Sequence, residues 1–138
     1  MKLWLEINGA LLVVLALLHG VFPRYFRWKD ELRSASLLTR QILHVHTFFI
    51  ALTVGLMGLL CLTSAAELLT TKLGRTLCAG LFVFWFCRLF IQFFGYSPEL
   101  WRGKRFETIV HIAFSFLWLD LTTCFACAIG FPLALSPS

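Results

Sequence analysis

Long runs of apolar residues broken by short polar connections dominate this chain. Four such runs cover residues 3–22, 42–63, 76–96 and 108–133. Each is close to the roughly 20 residues that an α-helix needs to cross a bilayer. None shows the strict alternation of a half-buried strand. The pattern predicts an all-α integral membrane protein. The short connections make consecutive spans antiparallel neighbours, so the expected architecture is one four-helix transmembrane domain over residues 1–138. The first run carries Glu6 and Asn8 and has no small-x-small site before Pro23, so it reads as a retained span and not as a cleavable signal.

Helical periodicity separates the faces of each run. In the second, His44, Thr47, Ala51, Gly55 and Gly58 form one stripe of small and polar residues, the kind that lets two helix backbones approach closely. This stripe points His44 into the bundle. His46 lies about 200° away and points to lipid headgroups or another subunit. In the third run, Leu81, Trp85, Arg88, Gln92 and Gly95 share a face. In the fourth, His111, Ser115, Trp118 and Thr122 do, and in the first Asn8, Leu12, Ala16 and His19.

Composition agrees with a membrane class: 59% of the 138 residues are hydrophobic and 14% charged, against about 25% charged in soluble domains. Charge adds orientation. Of the twelve Lys and Arg, eight lie in two alternate connections, Arg24, Arg27, Lys29, Arg33 and Arg40 in the first and Arg102, Lys104 and Arg105 in the third. The positive-inside rule puts both connections in the cytoplasm and both termini outside, as in a bacterial inner membrane. These cations flank membrane ends, beside Trp28, Tyr96 and Trp101, so they fit lipid headgroups as partners and not nucleic acid. The stretch RYFRWKDELR, Arg24 to Arg33, reads as an interfacial amphipathic helix.

On this topology all four histidines, His19, His44, His46 and His111, fall in the cytoplasmic leaflet, with Gln92 and Arg88 at comparable depth. Polar side chains are costly in lipid, so their collection at one level marks a candidate ligand site built from His19, His44, His111, Arg88 and Gln92. Several ligands suit it. A b-type haem held by His44 and His111, with Arg88 on a propionate, is the first reading, and a quinone or lipid headgroup the next. Zinc on His19, His44 and His111 comes last, because no carboxylate lies at that depth to act as a base. The structural alternative has each histidine bonded to a carbonyl or phosphate at the interface. Arg88 and Asp120 both lie well inside their runs and are expected to form an intramembrane ion pair, to line a proton or substrate path, or to make an intersubunit contact. Nine residues separate Asp120 from His111, which puts them on opposite sides of one helix.

Cys124 and Cys127 form a C-x-x-C on one face of the fourth run, which otherwise reads as cysteines used for packing. A C-x-x-C on the fourth helix of a small four-helix membrane protein resembles the vitamin K epoxide reductase family. The likeness is confined to that pair and the helix count, and the family's separate loop cysteine pair is missing. It implies thiol oxidoreductase chemistry in which Cys124 and Cys127 pass electrons to a quinone. Walker, G-x-S-x-G and H-E-x-x-H motifs are absent. Two function classes therefore stand: a redox or ligand-binding protein using haem or quinone, and a non-catalytic accessory or assembly subunit whose aromatic faces meet other membrane subunits or a second copy.

Overall fold

The computed structural model describes residues 1–21, 32–97, 99 and 101–132. The proposed amphipathic segment at Arg24 to Arg33 falls mostly outside them, as does the tail after residue 132. The described residues form five helices and no strand: α1 (Lys2–His19), α2 (Leu37–Thr63), α3 (Ala65–Thr70), α4 (Lys72–Phe94) and α5 (Arg105–Ile129). The four longer ones are each long and apolar enough to cross a membrane.

Helix ends follow caps, and this is where they depart from the apolar runs. α2 starts five residues before its run because Ser36 Oγ accepts from the Thr39 amide at 3.1 Å, so the helix extends through Leu37–Gln41 to its cap. Thr71 does the same for α4, its Oγ1 accepting from the Gly74 amide at 2.9 Å. α5 stops at Ile129, with Gly130 and Pro132 following, short of the run's end at 133. The short α3 has no counterpart among the apolar runs. It is held by burial of Ala65, Leu68 and Leu69. A Cβ on Gly74 would run into the backbone of Glu67 and Leu68, so only glycine lets α4 start this close to α3. Below it the Cys78 thiol donates to Leu68 O at 3.8 Å.

The described chain divides into two compact units, residues 3–65 and residues 66–138 with 1–2. In the first, α1 packs on α2 through small residues. A Cβ placed on Gly58 would lie 2.7 Å from Gly9 O, one on Gly9 would lie 2.8 Å from Gly58 O, and one on Gly55 would lie 3.3 Å from the Ala16 Cβ. Residue numbers rise along α1 as they fall along α2, so this pair is antiparallel. The stripe containing Gly55 and Gly58 thus faces a neighbouring helix, as its composition predicts. Leu5, Leu12, Leu15, Val54 and Cys61 are buried. Asn8 is wholly buried; its Nδ2 donates to Trp4 O at 3.1 Å, and its Oδ1 has no partner among the described residues.

In the second unit α4 and α5 pack along their length, again antiparallel: Trp85 stacks on Trp118 and Gln92 meets His111. Leu121, Cys124, Phe125 and Ala128 are buried further along α5. Arg75, in the first turn of α4, donates from Nη2 to Phe131 O at 2.8 Å and ties down the chain after α5. The outward faces are largely apolar, with Phe48, Phe49, Phe90, Phe93, Phe94, Ile109 and Phe116 all exposed. A water-facing surface rarely carries so much apolar area, whereas lipid accepts it.

Candidate functional site

Gln92 is the centre of the polar structure between α4 and α5. Trp85, Arg88 and Gln92 are three and four residues apart, so they share the α4 face that meets α5. Gln92 is buried, 5% exposed, and every hydrogen-bonding atom of its amide is used. Its Oε1 accepts from Arg88 Nη1 and from Trp118 Nε1, each at 3.2 Å. Its Nε2 lies 2.8 Å from His111 Nδ1 and 3.4 Å from His111 O.

These contacts fix a tautomer. Arginine and indole nitrogens only donate, so the Gln92 atom facing them must be the carbonyl oxygen. The amide nitrogen then faces His111 and can only donate. His111 Nδ1 is therefore the acceptor, and the proton of the neutral ring sits on Nε2. The ring is also clamped from its face by Trp101, stacked at 4.6 Å between centroids and 9° between planes. Trp101 is held in turn by its carbonyl, which accepts from Thr108 Oγ1 at 2.7 Å.

Arg88 sits half-buried between aromatic rings. Its Nη2 lies 3.5 Å from the Tyr96 hydroxyl, and its guanidinium lies over Trp118 at 4.7 Å and Tyr96 at 5.6 Å. Cation–π contacts of this kind are worth about 0.5–2 kcal/mol. Trp118 also stacks with Trp85 at 5.3 Å and with Phe114 at 5.4 Å. Trp85 is 1% exposed, and its indole N–H has no partner among the described residues.

Of the residues singled out in the sequence, the structure brings together Arg88, Gln92 and His111. His19 and His44 belong to the other unit. In each, ring Nδ1 lies 2.7 Å from a carbonyl of its own helix, Leu15 O for His19 and Arg40 O for His44. A carbonyl only accepts, so Nδ1 carries the proton there, the reverse of His111. His46 bonds Ile42 O in the same manner at 3.0 Å. His44 was expected inside the bundle, but its ring is exposed, as is that of His46. Along the stripe Gly58 is buried, Gly55, Ala51 and Thr47 are half-buried, and His44 is exposed.

His111 is poorly prepared to bind a metal through Nε2, which carries its proton. Moving that proton to Nδ1 would set it against the Gln92 amide hydrogens. Among the described residues no group of three His, Cys, Asp or Glu side chains is arranged to hold a metal ion. Asp120 lies half-buried on α5, on the far side from His111. Cys124 is buried and Cys127 exposed, and neither is in a disulfide.

The sequence missed the aromatic half of the site. The seven-residue spacing puts Trp118 on the His111 face, but nothing in the sequence marks it as a hydrogen-bond donor to Gln92. Tyr96 and Trp101 read as interfacial belt residues, and their second role follows from how the α4–α5 connection folds back. No protein-family model, curated protein or solved structure matches this chain.

Proposed function

We propose that this is an integral membrane protein with four antiparallel spans forming a bundle, both termini outside, and the Arg88–Gln92–His111 cluster in the cytoplasmic leaflet of a bacterial inner membrane. Lysine and arginine bias supports the orientation. The apolar outward faces of all four long helices support the insertion.

The cluster binds a membrane-borne organic ligand through that ligand's hydrogen-bond acceptors. The observation that carries this reading is the closed bonding of Gln92, which leaves His111 with its N–H at Nε2, while Arg88 bonds the same glutamine through its Oε1. Such a site is rich in donors and suits a quinone carbonyl or a lipid headgroup oxygen. Haem or zinc ligation by His111 would need the Nε2 lone pair and would disrupt the Gln92 bonds, so the metal-bearing alternatives rank below the organic ones. The accessory-subunit reading rests on a different observation, the exposed ring cluster Phe90, Phe93 and Phe94 at the end of α4, which offers a flat contact for another membrane helix.

One comparison tests this. Wild type, His111→Ala and His46→Ala are purified in mild detergent, and visible spectrum, metal content and extracted organic molecules are measured. A colourless protein carrying a lipid or quinone that His111→Ala loses and His46→Ala keeps is the expected result. A Soret band would restore the haem reading, and a wild type with no bound molecule would leave the accessory role.

A further inference from the structure

We propose that the ligand is anionic, a phospholipid whose phosphate sits on the Arg88 guanidinium. The proposal rests on the ligand site described above and adds the charge of what fills it.

Arg88 lies in a 23-residue apolar helix, six residues before its end at Phe94. Among the described residues, each of its contacts is with a neutral group: the Gln92 carbonyl, the Tyr96 hydroxyl, and the faces of Trp118 and Tyr96. Cationic side chains within membrane spans are almost always paired with a counter-charge or backbone carbonyls. Here two nitrogens bond neutral oxygens, and the planar fork keeps further N–H groups for an acceptor. A neutral quinone would leave the charge uncompensated. A phosphate diester compensates it and accepts the fork in the bidentate manner that arginine favours.

The surroundings give such a headgroup a way in. Tyr96, which screens Arg88, is 44% exposed. The connection beyond it and the first turn of α5 carry Arg102, Lys104 and Arg105, all exposed, against two exposed carboxylates, Glu99 and Glu107, so the net charge facing a headgroup is positive. Trp101 belongs to this connection and stacks on His111, which joins the cationic surface to the site.

The test uses full-length protein in nanodiscs of phosphatidylcholine with rising fractions of phosphatidylglycerol, with retained lipid read by native mass spectrometry. Phosphatidylglycerol should be retained by wild type at least about tenfold over phosphatidylcholine, a preference of about 1.4 kcal/mol. Arg88→Gln should abolish the preference, Arg88→Lys should keep part of it, and His46→Ala should not change it. If Arg88→Gln does not fold, the wild-type preference and the Arg88→Lys result decide. Two added arms separate the sources. Displacement of the lipid by millimolar inorganic phosphate would assign the site to a free anion and overturn the proposal. Retention of a short-chain quinone with no preference between the lipids would overturn the charge assignment while keeping the ligand site. No retained molecule of any kind would sink both.

Discussion

Gly58→Ala adds one methyl at the closest approach of α1 and α2. Its Cβ would sit 2.7 Å from Gly9 O and 3.0 Å from both Leu12 Cβ and Val13 Cγ2. Two of those neighbours are backbone or Cβ atoms and cannot rotate away. Relief requires the helices to separate by roughly half an ångström, and a gap of that size forfeits about a quarter of the dispersion energy of each contact it opens. The contacts at risk include Gly9 against Leu62 and Cys61 and Gly55 against Ala16. Overpacking of this kind costs about 1–3 kcal/mol, which lowers the melting midpoint of a chain this size by roughly 3–9 °C. Gly80→Ala is the matched control. It lies on α4, where an added Cβ meets nothing within 4 Å. Removing glycine from a helix interior there should be neutral or stabilising, by up to about 1 kcal/mol. The assay is thermal unfolding in one detergent, followed by circular dichroism. Equal midpoints for Gly58→Ala and Gly80→Ala would refute the close backbone contact.

Gln92→Leu keeps the volume but strands the Trp118 N–H, one Arg88 N–H and the His111 Nδ1 lone pair, so it should destabilise by about 1–3 kcal/mol in the same melts; a neutral outcome would mean those groups find other partners. Trp118→Phe removes an indole N–H bonded to Gln92, whereas Trp85→Phe removes one with no partner among the described residues. The first should cost about 1 kcal/mol more than the second after allowing for ring size, and equal losses in denaturant titrations would contradict the bonding given to Trp118. Orientation is checked by thiol labelling in a background lacking the native cysteines: Ser36→Cys should react only from the cytoplasm and Ser136→Cys only from outside, and the reverse pattern would move the site to the other leaflet.

How much of this was legible beforehand differs by residue. The four long helices follow from apolar run length, because a run of about 20 apolar residues has few other stable forms. The contact stripe at Gly55 and Gly58, and the faces carrying Trp85, Arg88 and Gln92 on α4 and His111 and Trp118 on α5, follow from the 3.6-residue period alone. Helix starts were misplaced by several residues because polar caps at Ser36 and Thr71, and not hydrophobicity, set them. His44 is exposed although its stripe runs to buried Gly58, because a stripe fixes the direction of a side chain and not its burial.

Sequence alone determined which residues can lie on a common helix face and at a common depth, since both depend only on the rise and turn of one helix. It could not determine which face meets which, or what each polar atom bonds. Those depend on contacts between residues far apart in the chain: Gln92 with His111 and Trp118, and Trp101 folded back over the His111 ring. The His111 tautomer is the clearest case. Nothing near His111 in the sequence sets it. It follows from two obligate donors, Arg88 and Trp118, orienting a glutamine on the neighbouring helix, and only packed helices bring those groups within hydrogen-bond distance.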